Sequence, residues 1–273
     1  MFLSLCHFNL LLNPVTMNKL KFIKSIALLL LGLCFQHAVY GAEIHVSAVF
    51  NTLSTLSEII ELFEKEFPDK VILHKENHTT MTIYNQIKEK DNLDIVLLGD
   101  MKMALHLEKE GLTTPETHFT YAFGQLVLWS KNPTLVDAQG EVLTTGQFKK
   151  IAIVDPKIAS YGVAARQVLE KLQRWETLRP KLVFVPNAGE MQRQVLSGEV
   201  DLGFIPLVML NPNSADEIEG SLWLIPKNYY TPLEQQAILL KRARNSNAAK
   251  SFFDYLRSPQ ALSIFEKYGF SLP

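Results

Sequence analysis

The sequence predicts an α/β fold of two lobes, each a mainly parallel sheet flanked by helices, with a cleft between the lobes. Three observations lead there. A β-rich run, a polar turn and a stretch of helical period follow one another repeatedly from residue 43 onward. A second series of such units begins after Phe123, and an apolar run at 236–240 reads as a strand that crosses back to the first series. Strands alternating with helices cover both faces of a sheet and favour parallel pairing. The 273 residues, 47% hydrophobic and 20% charged, are enough for one or two domains.

Residues 1–41 differ from the rest. Lys19, Lys21 and Lys24 precede the apolar run 25–35, and small residues follow near 39–41, the order of a secretory leader. The apolar core, 26–34, is shorter than the roughly 20 residues needed to span a bilayer. It is therefore expected to be removed after export, between Gly41 and Ala42, with Met17 as a candidate start. A lipid anchor on Cys34 would follow the bulky Leu33, where such signals place a small residue. Cys6 and Cys34 both fall in this segment, so the mature chain is expected to carry neither a disulfide nor a thiol nucleophile. Its loss takes the chain from 27 basic and 28 acidic residues to 24 and 28, a net charge of −4. That balance argues against nucleic acid as a partner, which requires clustered Lys and Arg.

The mature chain opens with a strand at 43–50, the turn Asn51-Thr52, and a helix carrying Leu53, Leu56, Ile59, Ile60, Phe63 and Phe67 on one face. A second unit has a strand at 71–73, the turn 77–80 and a helix at 83–87. A third has a strand at 93–98 and a helix at 103–110. The second series has strands at 125–129, 150–154, 182–185 and 202–205, with helices at 162–174 and 188–196. Closing helices fill 248–268, with Phe252, Phe253, Leu256, Leu262 and Phe265 as apolar contacts. The division expected is 42–124 with 236–273 as lobe 1 and 125–235 as lobe 2. The crossings near 124–129 and 231–236 serve as hinges.

In open α/β sheets ligands lie beyond the carboxyl ends of the strands. Four turns there are short and polar: Asn51-Thr52, Thr79-Thr80, Ser160-Tyr161-Gly162 and Asn187-Ala188-Gly189. Each places free N–H groups at a helix start, where unpaired donors and the helix dipole favour an anion. Any one such turn is ordinarily a helix cap; the set of four carries the argument.

Several stretches resemble the periplasmic molybdate-binding proteins of ABC importers. They are 155–165 with its Asp-Pro…Gly…Ala spacing, Leu169-Glu170-Lys171-Leu172, and Trp175 through Pro180-Lys181-Leu182. Asp94 with Asp100 around an apolar strand and the tail 253–270 complete the set. The resemblance covers nearly all of 43–273. It implies a type II periplasmic-binding-protein fold that closes on a tetrahedral oxyanion, molybdate or tungstate, with no further cofactor. It also implies a permease with a cytoplasmic ATPase as partners, a periplasmic location and a monomer. Carried over position by position, the family's first Ser falls at Asn51, its second hydroxyl at Thr80, main-chain donors at Tyr161 and Ala188, and a Tyr at Pro206. Thr80 keeps the side-chain type, Asn51 can donate through its amide, and Pro206 has no donor.

Two other classes of function were weighed. A different small anion would suit the bulk of Phe50 and the loss of a donor at Pro206. A secreted hydrolase would draw on His45, His74, His78, His106 or His118, but the chain has no H-E-x-x-H, G-x-S-x-G, P-loop or C-x-x-C pattern. Tyr229-Tyr230 could suggest ferric iron, although neighbours on a strand face opposite ways; packing of one tyrosine at the hinge is the simpler expectation.

Overall fold

The computed structural model describes residues 41–75, 79–90, 92–210 and 218–273. The start site, both cysteines and His78 lie outside these residues. Two five-stranded sheets form the body. The first has the order β2 (Lys70–His74), β1 (Glu43–Ala48), β3 (Ile95–Leu98), β10 (Leu233–Leu239), β4 (Phe119–Gly124). The second has the order β7 (Leu182–Val185), β6 (Ile151–Val154), β8 (Leu202–Pro206), β5 (Leu126–Ser130), β9 (Ser221–Leu224). In each, three strands pair in parallel, the next is reversed, and the last pairs antiparallel with that one. Four of five strands thus share a direction, in keeping with the mainly parallel lobes the sequence predicts.

Helices cover both faces of both sheets, which is why β3 and β6 are apolar and buried along their whole length. On one face of the first sheet α1 (Leu53–Glu66) buries Leu56, Ile59, Ile60 and Phe63. These meet Ile44 and Val46 of β1, together with Phe252 of α6 (Asn247–Tyr255) and Phe265 of α7 (Pro259–Lys267). On the other face α2 (Thr80–Lys90) supplies Ile83 and Ile87, and α3 (Met101–Lys109) supplies Ala104 and Leu107. The second sheet is sandwiched in the same way. Ala164, Ala165, Val168 and Leu169 of α4 (Ser160–Lys171) cover one side, and Met191 and Val195 of α5 (Ala188–Ser197) cover the other. Among the described residues, no helix is long and apolar enough to cross a membrane.

Several helix starts follow capping chemistry. Asp100 accepts the N–H of Lys102 at 2.8 Å, so α3 begins at Met101, two residues before the apolar period alone suggests. Asp94 has a different structural task. It is buried, and accepts the His45 N–H and the Arg242 Nε–H, each at 2.8 Å, tying β1 and the start of β3 to the segment after β10. Two strands, β4 and β9, were not anticipated; both lie at the antiparallel end of their sheet.

The chain changes sheet between Gly124 and Leu126 and enters the first sheet again with β10. Tyr230, just ahead of β10, is buried and its hydroxyl accepts the Leu126 N–H at 3.2 Å, so the two crossings are fastened to each other. Tyr229 belongs to a one-turn 3-10 helix, Lys227–Tyr229, rather than to a strand, and packs edge-on against Trp223. The two tyrosines therefore serve different partners and do not converge on a common ligand. Tyr230→Phe is expected to lower stability by about 1–2 kcal/mol, because it leaves a buried amide without an acceptor. Tyr229→Phe should stay within about 0.5 kcal/mol of the parent. Urea unfolding of the two variants side by side checks this, and equal midpoints would show that the Tyr230 hydroxyl does not fasten the two crossings.

Candidate functional site

The parallel strands of both sheets end at one cavity of about 70 Å³, against roughly 10–15 Å³ for a single water. Val49, Phe50 and Asn51 follow β1; Thr79 and Thr80 open α2; Gly99 follows β3. From the second sheet come the end of β6 and the start of α4, then Pro186, Asn187 and Ala188 after β7, and Pro206 at the end of β8. All five positions singled out from the sequence, Asn51, Thr80, Tyr161, Ala188 and Pro206, line this one space.

Three helices begin at the cavity wall. Thr79 caps α2, its hydroxyl accepting the Thr82 N–H at 3.1 Å. Asn187 caps α5, its side chain accepting the Glu190 N–H at 2.8 Å. No side chain caps α4. Among the described residues, the N–H groups of Tyr161 and Ala188 meet no acceptor, as first-turn amides do unless something outside the helix supplies one. The start of α4 is held hard against the end of β6. A Cβ on Gly162 would stand 2.2 Å from the Val154 carbonyl oxygen, so glycine is what permits the approach.

Behind the cavity a buried polar cluster links the two lobes. The Asn51 Nδ2 donates to the Tyr161 hydroxyl at 3.3 Å and to Gln235 Oε1 at 3.4 Å, both at the long end of the range for such bonds. The Asn51 amide is thus turned toward protein acceptors, where the sequence had suggested donation to a ligand. The Gln235 Nε2 donates to the Leu233 carbonyl at 3.0 Å. A second link is the Ser160 hydroxyl, which donates to the Gly99 carbonyl at 2.8 Å. Sequence reasoning did not single out Gln235 or Gly99. Two adjacent glutamines leading straight into the apolar run Ala237-Ile238-Leu239 are the signal that could have found Gln235, and both are fully buried.

Among the described residues, the lining contains no Asp, Glu, Lys, Arg or His. Tyr161 is its one ionisable side chain. Burial pushes the phenol far above its ordinary value, against the opposing pull of the Asn51 hydrogen bond, so it stays neutral. Such a wall has no nucleophile with a base beside it and no carboxylate to hold a cation. Its resources are amides at helix starts, hydroxyls and apolar surface, which suit a small anion.

The sequence pattern of the family described as bacterial extracellular solute-binding protein matches residues 44–271. The chain belongs to that family. This solute-binding protein is 36% identical over 235 residues to the molybdate-binding protein of Azotobacter vinelandii, an alignment covering 86% of this chain and 92% of the relative. With the molybdate-binding protein of Rhodobacter capsulatus it shares 38% identity over 187 residues, 68% of this chain and 72% of the relative. The solved structure of the Azotobacter vinelandii periplasmic molybdate-binding protein matches with a TM-score of 0.79 at 34% identity, covering 84% of this chain and 99% of that one. The two-lobed architecture of this solute-binding protein is the architecture of that structure.

Proposed function

We propose that this protein captures molybdate, or tungstate of the same shape, outside the cytoplasm and hands it to an ABC importer. One observation carries the reading: the five positions expected from the sequence converge on a single small cavity that has helix starts from both lobes and, among the described residues, no charged side chain. Thr80 contributes a hydroxyl and Tyr161 and Ala188 contribute main-chain N–H groups. Asn51 holds the Tyr161 phenol in place, and Pro206 gives an apolar wall. Several neutral donors share the charge of a dianion without a counter-ion. The molybdate-binding relatives support the choice of ion.

Capture is lobe closure. Since β10 belongs to the first sheet from Leu233 onward, lobe 1 is 42–124 with 233–273 and lobe 2 is 125–232, in place of the boundary at 235/236 expected from the sequence, and the lobes swing about the crossings next to Gln125 and ahead of Leu233. The ion stabilises the shut form through contacts neither lobe makes alone. A membrane permease with its cytoplasmic ATPase then receives the ion from a monomeric, periplasmic receptor exported by its leader. Pro206 and Phe50 favour one second reading, a receptor of the same kind for a different small anion.

Calorimetric titration of residues 42–273 with molybdate, tungstate, sulfate and phosphate tests the assignment. One-to-one binding of molybdate or tungstate is expected, weakened about tenfold, ~1.4 kcal/mol, in Thr80→Ala and in Asn51→Ala. Heat with sulfate or phosphate only would move the assignment to the second reading, and no heat with any of the four would remove it.

A further inference from the structure

Phe50 is a large side chain without a hydrogen-bonding group set at the wall of a cavity otherwise suited to an anion. It is 39% exposed, so the side chain borders both the cavity and the solvent. What it faces is on the other sheet. Gly189, in the first turn of α5, lies so near that a Cβ built on it would stand 3.0 Å from Phe50 Cζ and 3.2 Å from Cε1. Phe50 follows β1 of the first sheet and Gly189 follows β7 of the second, so the contact spans the cleft between the two sheets. The ring lies beside the amide end of α5, next to Ala188.

We propose that Phe50 is a cross-cleft latch: its ring seats on Gly189, keeps the lobes together and slows escape of the bound ion, without donating a bond to it. The inference rests on the oxyanion reading for the identity of the cargo, while the ring-to-glycine contact stands apart from it. A contact made on closing acts mainly on dissociation, since the ion enters before the ring is seated. An alanine at 189 would meet the ring at 3.0 to 3.2 Å, tighter than ordinary contact, so the ring would have to give way by a few tenths of an ångström. The ring is the far end of a side chain, and so it yields and unseats where backbone would not.

The test is stopped-flow release of molybdate from the mature protein and from Phe50→Ala, Phe50→Leu, Gly189→Ala and the double variant Phe50→Ala with Gly189→Ala. Phe50→Ala is expected to release about ten times faster, with association within about threefold and Kd weakened in proportion. Phe50→Leu should fall between. Gly189→Ala should also speed release, but add nothing in the absence of the ring, because the two sites act through one contact. Release from Phe50→Ala within twofold of the parent would overturn the latch, as would an equal effect of Gly189→Ala with and without Phe50. Spin labels at Lys109→Cys and Glu176→Cys, in a mature chain that has no cysteine of its own, read lobe separation without ligand. If the parent binds none of the oxyanions, the cargo assignment fails, and these labels decide the latch alone. A larger closed fraction in the parent than in Phe50→Ala supports it, and identical distance distributions overturn it.

Discussion

Gly162→Ala is expected to lower the unfolding free energy by about 3 kcal/mol and to remove most of the anion affinity with it. The added methyl would sit 2.2 Å from the Val154 carbonyl oxygen and 2.9 Å from both the Asp155 carbonyl carbon and the Pro156 nitrogen. All three are backbone atoms, two of them in the turn that delivers α4, so no rotamer change relieves the overlap. The helix start must move off β6, and with it go the Tyr161 amide, the phenol that reaches Asn51 and the hydroxyl of Ser160 on Gly99. Urea unfolding and calorimetry on the same preparation separate the two losses. A variant within about 0.5 kcal/mol of the parent in stability would show that the helix start is not held where the structure has it.

Asp94→Ala is expected to cost about 1–3 kcal/mol, for the lost bonds to a buried carboxylate, while leaving the stoichiometry of anion binding unchanged below the unfolding transition. The buried carboxylate accepts one bond from the backbone of β1 and one from Arg242, so its removal leaves the His45 amide without this acceptor and breaks the tie to Arg242. Asp94→Asn, which retains an acceptor, should recover part of the loss. The cavity is lined by other residues, which is why the damage should appear as stability and not as a changed ligand. Chemical denaturation with and without molybdate measures both. Loss of binding in a folded Asp94→Ala would instead tie this carboxylate to the site.

How far the sequence could be read depended on the range of the interactions. The alternation of apolar runs and polar turns is local, and it was enough for the parallel strands, for α1 and for α4 and α5 to within two or three residues. Strands β4 and β9 escaped because neither leads into an α-helix. β4 is followed after one residue by another strand, and β9 by one turn of 3-10 helix and then β10. The site shows the same divide. Helix starts at strand ends are visible as Asn51, Thr80, Tyr161 and Ala188, since a polar or small residue at such a turn has a local reason to be there. That the Tyr161 phenol would meet an amide 110 residues away, or the Ser160 hydroxyl a carbonyl 61 residues away, depends on how the lobes face each other, and no window of sequence contains that. Tyr229 and Tyr230 are a milder case. Their separation followed from a turn of 3-10 helix that a strand-based reading did not foresee.

The neutral lining of the cavity separates two quantities that charged binding sites join. With 24 basic and 28 acidic residues beyond position 41, that part of the chain as a whole repels an approaching anion. That repulsion acts through solvent and fades beyond about 8 Å at physiological ionic strength. In the proposed site an enclosed ion would be held by fixed amide dipoles at contact distance, where no counter-ion enters to weaken them. Ionic strength therefore governs how often the ion arrives and has little purchase on how tightly it is kept.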